Sequence, residues 1–274
     1  MTVVTPSPDR FNVLGVGISA ISLSQATKLV IARAQERPAS YVCVTGVHGV
    51  MEAQRHPAFG ETLNRAFLVT PDGMPMVWLG KWNRLAHVTR VYGPDLVLAV
   101  CDQGRKAGLR HFFYGGNTGV ADELASVLSS RFPGLSVAGT YTPPFRSLTD
   151  AEQASLAQQV AETRPDIIWV GLSTPKQELF MVQQFAALPT GLLIGVGAAF
   201  DFHTHRVRQA PRWIQRSGFE WLYRMIQEPR RLWRRYLVNN SAFVFSISLQ
   251  LLGLRKYPLK RSPVQAFRKN SAND

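Results

Sequence analysis

Cysteine is scarce: Cys43 and Cys101 are the only two among 274 residues. That excludes a disulfide framework or a cysteine-rich zinc site, and the pair reads as buried thiols of a cytosolic protein. Long apolar runs are missing as well. No stretch of about 18 uninterrupted apolar residues occurs, so no ordinary membrane-spanning helix is expected. Residues 1–10 carry Pro6 and Pro8 and no apolar core, unlike a secretory signal. There is no Gly-x-Ser-x-Gly elbow for a serine hydrolase and no Asp-x-Asp pair for a metal-bound nucleotide. Apolar side chains themselves are plentiful, 46% against 18% charged. That excludes a disordered polyelectrolyte, and the length is enough to bury a sizeable core.

Acidic residues are the other deficit, and it is local. Residues 1–205 hold 16 basic and 15 acidic side chains, whereas residues 206–274 hold 15 basic and 3 acidic. Nearly all of the net charge of +13 therefore sits in the last quarter. A neutral body with a basic tail points to a polyanionic partner: a membrane surface, a nucleic acid or a phosphorylated substrate.

The body alternates short apolar runs with helical patterns. Residues 12–16, 41–45, 67–70, 111–114, 135–139, 166–170 and 191–196 read as strands covered on both faces, as in a parallel sheet. Helices are expected over 22–36, where Ser22 and Gln25 have capping-box spacing, and over 94–106, which begins with Pro94. Further helices are expected over 118–131, 149–163 and 175–187. The alternation predicts an α/β fold with a Rossmann-like, mostly parallel sheet and helices on both faces. A catalytic domain over 1–205 and a basic, helical C-terminal appendage over 206–274 complete the expected organisation. Residues 243–251 alternate apolar and polar at period two, which is strand-like, yet they follow a helical pattern.

Several short motifs carry possible chemistry. Gly15-Val16-Gly17-Ile18-Ser19-Ala20 matches a loose dinucleotide fingerprint, but the next strand ends at Thr45 without the acid that would hold a ribose. A tight strand–helix turn is the better account, and a nicotinamide enzyme the minor one. Gly115 and Gly116 also join a strand to a helix, where glycines let backbone N–H groups approach a phosphate or simply make a turn. Asp72, after a strand, sits at the sheet edge where such folds place their sites, although capping of the next helix is the plainer role. Ser173 or Thr174 before Pro175 is an N-cap signature, and Lys176 and Gln177 in the first turn are placed to meet an anionic ligand. Asp201, His203 and His205 alternate as metal ligands can, but the spacing is unspecific and no metal is expected. The segment 206–236 interleaves arginine with Trp213, Phe219, Trp221, Tyr223, Trp233 and Tyr236, a mixture suited to lipid headgroups or to phosphate. A nucleic-acid-binding protein would use the same chemistry.

The ordered set of motifs resembles a known family. Arg90-Val91-Tyr92-Gly93-Pro94-Asp95-Leu96, Pro175-Lys176-Gln177-Glu178 and Gly195-Val196-Gly197-Ala198-Ala199-Phe200-Asp201 recur in it. The most specific are Arg208-Gln209-Ala210-Pro211-Arg212-Trp213, Gly218-Phe219-Glu220-Trp221-Leu222-Tyr223-Arg224 and Gln227-Glu228-Pro229-Arg230-Arg231. Together they are similar to the WecG/TagA/CpsF glycosyltransferases, family 26, from about Asn12 to Leu237. The resemblance implies an inverting, metal-independent and cofactor-free transferase. It would move N-acetylmannosamine or another hexose from a UDP-sugar donor to a polyprenyl-diphosphate-linked sugar acceptor. It would work as a peripheral protein on the cytoplasmic face of the cell membrane, in cell-surface polysaccharide synthesis, against an anionic membrane surface and without nucleic acid. A homo-oligomer is left open.

The resemblance also assigns residues. The catalytic aspartate falls on Asp72 and the active-site threonine on Thr45. The arginine before the Gly-x-Asp-Leu motif falls on Arg90, and the glutamine of Pro-Lys-Gln-Glu on Gln177. Appendage arginines that complete the site and help dock the membrane are best matched by Arg224, Arg230 and Arg231, then Arg212. One departure stands out: the asparagine of the family's Thr-x-Asn pattern is Val47 here, followed by His48, which becomes the candidate substitute in substrate binding.

Overall fold

The structure, a computed structural model, describes residues 7–188 and 191–259 apart from the side chains of Arg231 and Arg235. The expectations for residues 1–6, for the polar tail beyond Leu259 and for the Arg231 side chain lie outside the described residues. Six strands form one sheet: β3 (Ser40–Thr45), β4 (Leu68–Pro71), β5 (Arg110–Gly115), β6 (Ser136–Tyr141), β7 (Ile167–Gly171) and β8 (Leu192–Gly195). Their order is β4-β3-β8-β7-β5-β6, and every neighbouring pair is parallel. The α/β, Rossmann-like expectation holds.

Period-two alternation divides the strand residues between two cores. Tyr41, Cys43, Phe112, Tyr114, Ile168 and Val170 face one side. There they meet α2 (Val47–Arg55), α3 (Pro57–Arg65), α7 (Asp150–Thr163) and α8 (Lys176–Gln184). Val42, Leu68, Phe113, Ile167, Trp169 and Ile194 face the other side. Their partners are α1 (Leu23–Glu36), α5 (Gly93–Gly104), α6 (Val120–Arg131) and α9 (Ala199–His203). The capping box expected from Ser22 and Gln25 is formed at α1, and α7 has one of its own, Thr149 with Glu152.

Three expectations are corrected. The run 12–16 is not one strand leading to a helix. It is the middle of an antiparallel hairpin, β1 (Arg10–Val13) and β2 (Val16–Ser19). Gly15 takes φ +80° at its turn, so the Gly15–Ala20 fingerprint belongs to a hairpin and not to a phosphate-binding strand–helix turn. The hairpin lies beside the edge strand β4, whose Val69 N–H donates to Ser19 Oγ at 3.0 Å, which occupies an otherwise open edge. Second, residues 201–205 are not extended: Asp201 and His203 lie in α9, and His203 is held by the Pro94 carbonyl. No group of three or more His, Cys, Asp or Glu side chains among the described residues is arranged to hold a metal. Third, the N-cap position of α8 is Pro175 without a side-chain cap, and Thr174 Oγ1 instead donates to Glu178 Oε1 at 2.9 Å.

After α9 come α4's neighbour α10 (Arg212–Ser217), then α11 (Glu220–Gln227) and the 23-residue α12 (Pro229–Leu251), α4 being Met74–Trp82. The strand-like alternation at 243–251 is thus helical. Phe243 and Ile247, four apart, turn into the first core, while Val244, Phe245 and Leu251 stay exposed. Gln250 ties the end of α12 to the hairpin: its Oε1 accepts from Leu14 N–H at 2.8 Å, and its Nε2 donates to the Asn12 carbonyl at 2.9 Å.

Candidate active site

The C-terminal ends of β3, β4, β5, β7 and β8 open into a cleft of about 1590 Å³, the edge at which parallel sheets carry ligands. Helices α10 to α12 and the loop 143–148 close its sides. Thr45 ends β3 and pairs in register with Pro71 at the end of β4. One residue further, Asp72 N–H donates to the Thr45 carbonyl at 3.1 Å, so the ladder extends to the carboxylate. Asp72 does not cap α4, whose N-cap position is Gly73 without a side-chain bond. The carboxylate is therefore free for another role.

Around Asp72 the charges interlock. Arg90, from the segment entering α5, places Nη2 3.6 Å from Asp72 Oδ1 and 2.5 Å from Glu220 Oε2 of α11. The same guanidinium lies 3.9 Å over the Tyr92 ring, and Tyr92 OH donates to Glu220 Oε1 at 3.0 Å. Burial pushes the Asp72 carboxyl up to about 6; Arg90 opposes the shift, Glu220 adds to it and Arg224 opposes it. Burial pulls the Arg90 guanidinium down, but Asp72 and Glu220 outweigh it and the net shift is upward.

Four side-chain atoms here are buried without a hydrogen-bond partner among the described residues: Thr45 Oγ1, Asp72 Oδ1, Arg90 Nε and Arg224 Nε. All four residues line the cleft. A buried polar group left unpaired costs about 1–3 kcal/mol, so a cluster of them marks where a polar ligand completes the protein. The mixture of carboxylate, hydroxyl and guanidinium suits a ligand that offers both hydroxyls and anionic oxygens.

The other expected residues divide. Gln177 lines the cleft, but its amide is engaged: Oε1 accepts from Gly197 N–H at 2.9 Å and Nε2 donates to Glu178 Oε1 at 2.9 Å. It braces the loop after β8. His48 also lines the cleft, and both ring nitrogens meet protein atoms, Asn239 Nδ2 at 3.0 Å and the Thr174 carbonyl at 3.4 Å. Gly116 lines it, but its N–H is donated to the Gly171 carbonyl at 3.1 Å. Gly115 does not line it; with φ +131°, a Cβ there would stand 2.6 Å from the Gly171 oxygen, so strand contact is what requires glycine. Of the appendage arginines with described side chains, only Arg224 lines the cleft. Arg212 is exposed and paired with Asp95 at 3.0 Å, and Arg230 is exposed on α12.

Sequence reasoning missed Glu220, Tyr92 and Asn239 as site residues. Glu220 did carry a signal: it is one of three acids in the 206–274 block. An isolated carboxylate in so basic a segment needs a partner, and Arg90 is that partner.

A family model described as the Glycosyl transferase WecG/TagA/CpsF family matches residues 11–257. The chain is 31% identical over 186 residues to an N-acetylglucosaminyldiphosphoundecaprenol N-acetyl-beta-D-mannosaminyltransferase of Bacillus spizizenii, covering 68% of this chain and 70% of that protein. It is 30% identical over 177 residues to a protein of the same description from Bacillus subtilis, covering 65% and 67%.

Proposed function

Since the chain belongs to the WecG/TagA/CpsF family and is a glycosyltransferase, we propose that it moves a sugar from a UDP-sugar to a polyprenyl-diphosphate-linked sugar. The donor would be N-acetylmannosamine-type or another hexose, and the reaction a metal-independent single displacement with inversion. The curated relatives act, by their names, on an N-acetylglucosaminyl-diphosphoundecaprenol acceptor. The observation that carries the reading is the cluster of buried Thr45, Asp72, Arg90 and Arg224 atoms in one cleft that have no hydrogen-bond partner among the described residues. A volume of about 1590 Å³ exceeds the ~300–1,000 Å³ of an ordinary small-ligand pocket and has room for a nucleotide-sugar and an acceptor sugar together.

In this reading Asp72 takes the proton from the acceptor hydroxyl as its oxygen bonds to the anomeric carbon. The bond from that carbon to the diphosphate oxygen breaks, and UDP leaves with the electron pair. A carboxyl near 6 is mostly ionised at neutral pH yet basic enough to accept that proton. Thr45 positions the sugar. Arg90, Arg224 and Lys176, in the first turn of α8, stabilise the growing charge on the diphosphate. Arg212 and Arg230, both exposed, then belong with the membrane-facing surface. Cytoplasmic, peripheral attachment to an anionic membrane fits the basic C-terminal block, and no described helix is long and apolar enough to cross a membrane. A nucleic-acid reading accounts for the charge but gives the cleft atoms no role.

The test is a screen of UDP-sugars against a short-chain prenyl-diphosphate N-acetylglucosamine acceptor, following UDP release and the anomeric configuration of the product by NMR. One donor consumed with inversion, undiminished by EDTA, supports the proposal. Retention, or loss of turnover restored by a divalent metal, overturns the mechanism.

A further inference from the structure

His48 lies in the first turn of α2, three residues after Thr45, and its ring joins three segments. Nε2 faces the Thr174 carbonyl, so it carries the proton, and Nδ1 then accepts from Asn239 Nδ2 on α12. The other end of that amide is also used: Asn239 Oδ1 accepts from the Arg55 guanidinium at the far end of α2, and Arg55 is held by Glu52 at 2.7 Å. Asn239 is 4% exposed. Nearby, α2 and α12 meet through apolar residues of the same core, Val50, Met51, Phe243 and Ile247. A buried amide in such a seam is tolerated only when satisfied, and once satisfied it selects one arrangement of the two helices. On the other side of the ring, Gln177 Nε2 donates to Thr174 Oγ1 at 3.4 Å, and Gln177 Oε1 holds Gly197. One imidazole thus links the wall formed by α12 to the loops after β3, β7 and β8, all lining the cleft.

We propose that His48 is a positioning residue whose neutral ring latches α12 against the cleft and so governs how well water is kept from the transferred sugar. The proposal rests on the transferase reading above. When the latch is open, water competes with the acceptor. Its oxygen bonds to the anomeric carbon, its proton passes to Asp72, and UDP leaves with the electron pair as free sugar forms.

The two ring nitrogens can be replaced separately. His48→Asn retains an acceptor near Nδ1, facing Asn239, and gives up the Thr174 bond. His48→Gln retains a donor near Nε2 and gives up the Asn239 bond. The readouts are the ratio of free-sugar release to transfer in the full-length protein, and hydrogen exchange across 229–251. His48→Ala, His48→Gln and Asn239→Ala are expected to raise the hydrolysis ratio about tenfold, the scale of one hydrogen bond's net worth, and to speed exchange in α12. His48→Asn is expected to stay near wild type, and the His48→Ala/Asn239→Ala double variant to be no worse than either single one. An unchanged ratio in all variants, or equal damage by Asn and Gln that tracks lost thermal stability, overturns the latch. Absence of transfer by the wild-type protein with every donor would instead remove the transferase reading, and α12 exchange would still decide the latch.

Discussion

Asp72 combines a proposed chemical role with a cost to stability. Burial raises its carboxyl to about 6, above the unfolded value of about 3.9. The folded state therefore holds the proton more tightly than the unfolded chain. That contribution favours folding below about pH 3.9 and is lost as pH rises through about 6. At neutral pH the ionised carboxylate works against folding by about 3 kcal/mol. Asp72→Asn is expected to lower transfer by about 10²–10⁴-fold, keep UDP-sugar binding and raise the melting temperature by a few degrees. Calorimetry beside a transfer assay checks both halves; wild-type turnover would remove Asp72 from the mechanism. The pH profile adds a signed test. Transfer should fall on acidification through about 6. Glu220→Gln removes a neighbour that raises the Asp72 value and should move that limb down, whereas Arg224→Gln removes one that lowers it and should move it up. Shifts in the same direction would show that another group sets the limb. The local pattern, a turn after a strand, made Asp72 a candidate but favoured helix capping; the family resemblance is what assigned it the catalytic role. Its partner Glu220 was not legible, because 148 positions separate them and only the packing of α11 brings Glu220 to Arg90.

At the scale of elements, what could be read depended on length and on local chemistry. The helix α1 was legible at its start because a capping box is a contiguous signal. The nine-residue α2 and α3 were not, since two turns on either side of His56 and Pro57 give too few repeats for a 3.6-residue period. The hairpin at 10–19 was hidden because its two strands are four residues each and a glycine pair imitates a nucleotide motif. Yet the join between β3 and α2 is where element geometry bears on the site. A Cβ on Gly46 would stand 2.9 Å from the Asp72 carbonyl oxygen, a backbone atom with little room to move. Gly46→Ala is expected to cost about 1–3 kcal/mol by overpacking and, by shifting the turn, to reduce transfer by about 10²-fold. Thr149→Ala is the control: it removes the α7 cap, costs about 1 kcal/mol and should leave transfer rates unchanged. Urea titration and initial rates on both variants separate the effects, and equal rates for the two would show that the turn tolerates the methyl.

For the whole molecule, the uneven charge acquires a surface. Trp213, Phe219 and Trp233 of the basic segment are 72%, 56% and 52% exposed. The structure adds Trp78 and Trp82 of α4, 51% and 72% exposed, from the neutral body. Trp78 lies against Gly218, where a Cβ would stand 2.6 Å from its ring, so the aromatic surfaces of α4 and of the α10–α11 turn are continuous. Lys81 of α4, Arg84 just beyond it and Arg216 of α10 are exposed as well. Monomeric proteins seldom leave that much aromatic surface to water, and tryptophan beside arginine is the composition of a headgroup interface. Deleting residues after Arg206 would not test this cleanly, because Phe243 and Ile247 belong to the core and their loss would damage the fold. Surface substitutions in the full chain are the sharper instrument. The protein is expected to sediment with phosphatidylglycerol-containing vesicles, less with purely zwitterionic ones, and less again as salt screens the arginines. Trp82→Ser and Trp213→Ser should each weaken vesicle binding by about tenfold or more, since a buried aromatic side chain contributes about 1.5–3 kcal/mol, and should leave transfer to a water-soluble acceptor unchanged. If only charge matters, the tryptophan variants will bind as wild type does while the salt dependence persists. Binding to duplex DNA would then have to be compared at the same ionic strength. If the surface is a lipid interface, the serine variants will lose vesicles and retain whatever weak DNA binding the arginines provide, because tryptophan removed from the surface changes apolar burial and leaves the charge untouched.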